Sequence, residues 1–319
     1  MDVVTFGETM VLFSSDTVLP LEYVHQFNKQ FGGAESNVAI GLSRQGHKTG
    51  WFSKLGEDAF GRYVRNSIRA EGVDTSRCLF TEDAPTGIYF KERKTGEHVN
   101  VYYYRKGSAA SQLTPLDLDE EYISQAKILH ISGITPALSE TAYDTIMGAI
   151  KMAKRHELKI AFDPNIRLKL LEAGTLRKRL LTIAGEVDFI LTGLDEGEFL
   201  TGEKTPELVA NKLQGEGSGT VIVKLGEKGA YYQTQTDSGY VEGFPVKQVV
   251  DPVGAGDGFT AGFLSGILLN EPIAKAVRRG NAVGSCVVQF NGDIEGLPTR
   301  DEVNRIIQQT GLIVKDVNR

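Results

Sequence analysis

Residues 250–264 read Val250-Asp251-Pro252-Val253-Gly254-Ala255-Gly256-Asp257-Gly258-Phe259-Thr260-Ala261-Gly262-Phe263-Leu264. Gly254, Ala255 and Gly256 permit a sharp turn, and the apolar run Phe259 to Leu269 reads as a helix. Amides at a helix start lack intrahelical partners and lie at the positive end of its dipole, so the turn is a natural anion hole. Asp257 falls in the first helical turn, with its carboxylate close to those amides. Taken alone, the pattern can be an acid capping a buried helix. Beside a phosphate cradle, the same carboxylate is what a kinase needs to accept the proton of an attacking hydroxyl while the amides hold charge on the transferred group.

Outward from this stretch, the chain has 319 residues, 41% of them hydrophobic, enough for one large core without disulfides or structural metals. The two cysteines, Cys78 and Cys286, stand far apart with no CxxC or Cys/His spacing, and both read as core thiols. The N-terminus carries Asp2 and Glu8 instead of a basic region, and no apolar run reaches the ~18 residues of a membrane span. A cytoplasmic protein with no membrane partner is expected. A formal net charge of −6 without a basic block argues against a nucleic-acid partner.

Short β-branched runs alternate with amphipathic stretches. Val3 to Phe6, Thr49 to Leu55, Ile128 to Ile131, Lys159 to Phe162, Phe189 to Thr192 and Thr220 to Lys224 read as strands, with hairpin-like strands at Gly229 to Gln233 and Tyr240 to Gly243. Ser36 to Gln45, Phe60 to Ala70, Glu140 to Arg155 and Pro206 to Leu213 read as helices. The alternation predicts an α/β protein whose mostly parallel central sheet is flanked by helices on both faces. Two extended runs, Thr86 to Lys91 and His98 to Arg105, interrupt it. They are joined by the hairpin signal Lys94-Thr95-Gly96-Glu97, and Thr9 to Phe13 is also strand-like. A small β-sheet lid, mainly from about 9–27 and 86–105, is therefore expected on a single domain spanning 1–319.

A second glycine cluster, Gly32-Gly33-Ala34-Glu35-Ser36-Asn37-Val38-Ala39-Ile40-Gly41-Leu42-Ser43-Arg44-Gln45-Gly46, lets a polyol approach the backbone at Gly33, and Asn37 offers a donor and an acceptor to sugar hydroxyls. By itself it could be an ordinary turn into a helix. Together with residues 251–264 it resembles the two signature regions of the ribokinase-like carbohydrate kinases, the PfkB family. The resemblance extends to Lys54-Leu55-Gly56-Glu57-Asp58-Ala59-Phe60-Gly61, Val223-Lys224-Leu225-Gly226-Glu227-Lys228-Gly229-Ala230 and Asn281-Ala282. It implies an ATP- and Mg2+-dependent kinase, admits a monovalent cation such as K+, and implies a lid that often serves as a homo-oligomer clasp. Asp257 becomes the base, and the amides of Gly254, Ala255 and Gly256 the anion hole. Lys224, Gly226 and Gly229 would border the nucleotide, Asn281 would lie near its adenine, and Asn165 and Gly193 would join the nucleotide-binding set. The family's NxxE element stands here as Gly193-Leu194-Asp195-Glu196, with Gly193 in place of the asparagine. Glu196 is then expected to act on magnesium through a bound water.

Two arginines bear on the acceptor. Arg105 ends the run Val101 to Arg105, and Arg167 follows Asp163-Pro164-Asn165-Ile166. A guanidinium fork suits a carboxylate, which neutral sugars lack, although each arginine could instead pair with a surface acid. Strand alternation puts Tyr103 and Arg105 on one face, with Tyr89 on the neighbouring strand. The set Gly33, Asn37, Tyr89, Tyr103, Arg105 and Arg167 resembles the pocket of family members that act on the sugar acid 2-keto-3-deoxygluconate. Asp293 either reaches a substrate hydroxyl or caps a turn. A fructokinase- or ribokinase-type activity shares every phosphoryl-transfer motif, and a non-catalytic sugar sensor would have no need of Asp257. A dinucleotide-dependent dehydrogenase is disfavoured, because Gly7-Glu8-Thr9 after the first strand is no GxGxxG.

Overall fold

The computed structural model describes residues 1–15, 17–93 and 99–309. Its strands are β1 (Val3–Phe6), β2 (Met10–Ser14), β3 (Asn28–Gly32), β4 (Thr49–Phe52), β5 (Lys54–Gly56), β6 (Leu79–Thr81), β7 (Ile88–Arg93), β8 (Val99–Tyr104), β9 (Ile128–Ser132), β10 (Lys159–Asp163), β11 (Phe189–Gly193), β12 (Thr220–Lys224), β13 (Ala230–Gln233) and β14 (Ser238–Val241). Eight of them form one sheet in the order β14-β13-β12-β11-β10-β9-β1-β4. Neighbours are parallel from β12 to β4, and β13 and β14 finish one edge antiparallel.

Both faces of this sheet are covered, which is why its strands read as nearly continuous apolar runs. In β12, Val221 and Val223 turn to the face covered by helices Glu140–Arg155, Ala173–Ala184 and Pro206–Gly215. Ile222 turns to the other, under helices Ala34–Arg44, Ala255–Leu268 and Ile273–Val287. The expected α/β architecture is present. In the helix Ala255–Leu268, glycine recurs at 258, 262 and 266 because the helix Ile273–Val287 comes too close for side chains. A Cβ on Gly262 would lie 2.8 Å from the Arg279 carbonyl oxygen, and one on Gly266 would lie 2.6 Å from Ala276 Cα.

The lid is a four-stranded sheet in the order β3-β2-β7-β8. β2 pairs antiparallel with β3 and parallel with β7, and β7 pairs antiparallel with β8. Its strand β3 falls outside the expected 9–27 segment, because Asn28-Lys29-Gln30 lacks the apolar alternation that marks a strand. The expected turn Lys94 to Glu97 lies outside the described residues. The stretch Thr49 to Leu55 is not one strand: Ser53 interrupts it, and β5 leaves the main sheet to pair with β6. Cys78 and Cys286 are free and only half-buried, a correction to their reading as core thiols; burial still pushes their thiols up to about 12 and about 11. No helix among the described residues is long and apolar enough to cross a membrane.

Phe162, at the centre of the sheet, is fully buried, whereas Leu116 is 95% exposed. Phe162→Ala is expected to lower unfolding stability by about 3–5 kcal/mol, and Leu116→Ala to change it by less than about 0.5 kcal/mol, as read from urea denaturation of the two variants.

Candidate active site

Chain order reverses about β1, which has β4 on one side and β9 on the other. Ligands of open α/β sheets sit outside the carboxyl ends of the strands at such a reversal. A cavity of about 350 Å³ opens there. Its floor is built from Asp163 at the end of β10, Asn165 and Arg167 beyond it, Lys224 at the end of β12 and the segment Gly254 to Asp257, and its roof from lid side chains. A second cavity of about 780 Å³ is lined by Gly226, Gly229, Phe244, Asn281 and Ser285. Lys224, Pro252 and Gly256 line both cavities. A group passing from one cavity to the other crosses that junction.

Gly254 caps the helix Ala255–Leu268 at φ 83°, a conformation that favours glycine. A Cβ there would lie 2.5 Å from the Asp293 carbonyl oxygen. The amide of Ala255 is not bare as expected; it donates to the Pro252 carbonyl at 3.3 Å. Lys224 Nζ lies 3.6 Å from where a Gly256 Cβ would be, so an ammonium faces the helix start. It pairs with Asp163 at 2.8 Å, and Thr260 donates to the same carboxylate oxygen at 3.1 Å. Burial alone pulls the Lys224 pKa down, but Asp163 and Glu196 carry it above the ordinary lysine value. It stays charged.

Asp257 is buried between two asparagines. Asn37 Nδ2 donates to Oδ2 at 2.8 Å, and Asn165 Nδ2 approaches Oδ1 at 3.4 Å. Burial pushes the Asp257 carboxyl up to about 8; the Asn37 hydrogen bond opposes the rise, while Asp163 and Asp293 add to it. Asn37 Oδ1 is buried with no partner among the described residues, and the residue lines the cavity, so an acceptor is left for a ligand hydroxyl. Asn165, expected with the nucleotide, lines only the cavity containing Asp257.

The two arginines differ. Arg105 is 8% exposed and ion-paired with the buried Glu8, which also accepts from the Ser108 hydroxyl. Arg167 is exposed at the cavity rim, where its Nη1 donates to the Ile166 carbonyl at 3.1 Å; no acid pairs with it among the described residues. Tyr89 stacks on Tyr103 with centroids 5.7 Å apart, and the Arg105 guanidinium lies 5.5 Å from the Tyr103 centroid. Asp293 is no turn cap. It is buried, accepts from the Tyr89 hydroxyl at 3.1 Å and pairs with Lys91 at 2.7 Å.

Glu196 accepts from the Ile166 amide on one oxygen and the Gly193 amide on the other, both at 2.8 Å. It therefore starts the helix Leu194–Thr201 and pins the loop that carries Arg167. Gly193 lines neither cavity. No group of three or more His, Cys, Asp and Glu among the described residues could hold a metal ion. Asn281 spends its Nδ2 on the carbonyls of Val241 and Glu242, both at 3.1 Å, which ties the β14 edge to the wall of the second cavity. Glu8, Lys91 and Asp163 were not anticipated. The alternation that pairs Tyr103 with Arg105 also pairs Tyr89 with Lys91, so Lys91 was within reach of the sequence.

The model of the pfkB family carbohydrate kinases matches residues 1–300. The chain is 43% identical over 305 residues to a 2-dehydro-3-deoxygluconokinase of Bacillus subtilis (strain 168), covering 95% of this chain and 94% of the relative. It is 34% identical over 307 residues to Fructokinase-2 of Oryza sativa subsp. japonica, covering 93% and 91%. Among solved structures, a putative Ribokinase II of E. coli in complex with ATP and Mg2+ superposes with a TM-score of 0.90 at 28% identity, covering 97% and 99% of the two chains. The chain belongs to the pfkB family of carbohydrate kinases and is a phosphotransferase.

The raised Asp257 pKa has a consequence for stability. In the unfolded chain this carboxyl loses its proton near 3.8, but in the fold it keeps the proton up to about 8. Between those values folding takes up a proton, so the group's contribution is fully present at low pH and is lost as pH rises toward about 8. Asp257→Asn removes that loss. The variant is expected to melt at a higher temperature than wild type, with a gain that grows between about pH 5 and pH 8; an equal gain at both would contradict the burial of an ionisable base.

Proposed function

We propose that the chain transfers the γ-phosphoryl group of ATP to the 6-hydroxyl of the sugar acid 2-keto-3-deoxygluconate, giving the 6-phosphate and ADP. The observation that carries this reading is Arg167, a guanidinium with no acid partner among the described residues at the rim of the cavity whose floor holds the buried Asp257. A neutral sugar gives such a cation no counter-charge, whereas a carboxylate accepts its fork. Arg105, already neutralised by Glu8, serves in this scheme as an oriented donor beside Tyr103. The 43% identity to a relative of the corresponding name supports the same substrate.

In the reaction, the sugar lies in the smaller cavity with its hydroxyl at Asp257 and its carboxylate toward Arg167. Asp257 takes the hydroxyl proton as the oxygen bonds to the γ-phosphorus and the bond to the ADP oxygen breaks. Lys224 and the amides at Gly254 and Gly256 hold the charge on the moving phosphoryl group. The larger cavity, bounded by Gly226, Gly229 and Asn281, takes the nucleotide. Magnesium, when bound, screens the phosphate charge against the incoming oxygen. With both Glu196 oxygens on amides, the donor set suits an ion carried chiefly by phosphates and water.

Because Asp257 must be ionised to act, sugar kcat/KM is expected to rise with pH toward about 8, the value to which burial pushes this carboxyl. Asp257→Asn should lower turnover by ~10²-fold or more while nucleotide and sugar affinity stay within a few-fold; near-wild-type turnover would remove the base assignment.

A fructokinase activity remains the competing reading, since the fructokinase relative is 34% identical over most of the chain. The deciding quantity is the ratio of kcat/KM for 2-keto-3-deoxygluconate to that for fructose. Arg167→Ala is expected to lower this ratio by ~30-fold or more, with little rescue by lysine. A wild-type ratio near one, or a ratio unmoved in the variant, would make the enzyme a neutral-sugar kinase.

A further inference from the structure

Lys91 lies on the lid strand β7, two residues beyond Tyr89 and hence on the same face. Its side chain is 4% exposed, with Nζ 2.7 Å from Asp293 Oδ1 and 3.2 Å from Asp251 Oδ2. The two acids belong to separate segments of the body, and both support the turn at Gly254. Asp251 Oδ1 accepts from the Val253 amide at 3.0 Å, and the Asp293 carbonyl oxygen lies 2.5 Å from where a Gly254 Cβ would be. The Tyr89 hydroxyl makes a second bond from the lid to Asp293. One lid ammonium thus spans the acid that enters the anion turn and the acid that lines the sugar-side cavity.

Burial alone would push this ammonium toward its neutral form, but Asp293 and Asp251 outweigh it and hold the Lys91 pKa above the ordinary lysine value. Two buried carboxylates facing one ammonium bind the lid to the body, and removing the cation would leave both without a counter-charge.

We propose that Lys91 is a positioning residue: it fixes Asp293 toward the sugar and Asp251 beneath the anion turn, so that the reactive cavity takes its shape only with the lid down. This rests on the phosphoryl-transfer reading of the site but not on which sugar is the acceptor. Lys91 touches the two acids and acts on the substrates through them. Its loss therefore falls on sugar use and on turnover, not on nucleotide binding in the other cavity.

The test measures kcat and the two KM values separately for Lys91→Met, Lys91→Arg, Asp293→Asn and the double variant Lys91→Met/Asp293→Asn. Lys91→Met is expected to lower kcat/KM for the sugar by about 10²-fold while KM for ATP stays within about twofold. Lys91→Arg, which keeps the charge, should recover most of the loss. The double variant should lose clearly less than the product of the two single losses, because once Asp293 is changed Lys91 has only its Asp251 arm left to act through. Should Lys91→Met not fold, as shown by its thermal unfolding, the double variant and Lys91→Arg still decide the matter. Additive losses in the double variant, failure of arginine to rescue, or equal damage to both KM values would overturn the assignment. Assays with both 2-keto-3-deoxygluconate and fructose separate the two ideas. The coupling is read on whichever acceptor wild type uses best, so a preference for fructose ends the sugar-acid reading and leaves the Lys91 result standing.

Discussion

Keeping a carboxylate dry at the start of a helix is the constraint on which the rest of this molecule depends. Asp257 is covered by Asn37 from one end of the chain and Asn165 from its middle, and its neighbours Asp163 and Asp293 are acids as well. Three acids this close would repel one another if all were ionised without counter-charges. The structure answers with two lysines: Lys224 pairs with Asp163, and Lys91 with Asp293. Of the three, Asp257 alone has no lysine ion pair among the described residues. Burial, with Asp163 and Asp293 nearby, raises its affinity for a proton, which suits the proposed role of taking one from an alcohol.

The same charge pairing separates two residue types that look alike in the sequence. Arg105 and Arg167 both line the cavity, but among the described residues only Arg105 of the two is paired with an acid. Glu8, which provides that acid, sits just after β1 and over 90 positions from Arg105 in the chain. No local pattern links the two, so their pairing was beyond the reach of motif and spacing. It is a product of the way the lid folds back over the end of the sheet.

Much of the remainder was legible. The parallel strands are uninterrupted apolar runs because both faces are buried, and the helix Glu140–Arg155 keeps its spacing from end to end. The glycine turn before Asp257 and the bare acceptor of Asn37 were readable because turn chemistry and hydrogen-bond capacity are properties of single residues. Strand β3 was hidden, since Asn28, Lys29 and Gln30 are polar and their strand conformation comes from pairing with β2. The amide bonds of Glu196 were not legible, because a glutamate at a helix start serves equally as a cap and as a partner of metal-bound water, and the Ile166 amide it also holds is 30 positions away.

The glycine ridge at 258, 262 and 266 bears on how such a fold diversifies. It lets the helix that carries Asp257 lie against the helix that carries Asn281, close to its backbone at 262 and 266 and to the Val287 side chain at 258. The span from Asp257 to the Asn281 wall of the larger cavity is therefore set largely by this close helix contact. The acceptor proposed here would be read, by contrast, by side chains of the lid sheet and the loop after β10 that line the smaller cavity, away from this helix contact. On the proposed reading, a lineage could exchange one polyol for another by revising the lid while the packing of these two helices stays fixed.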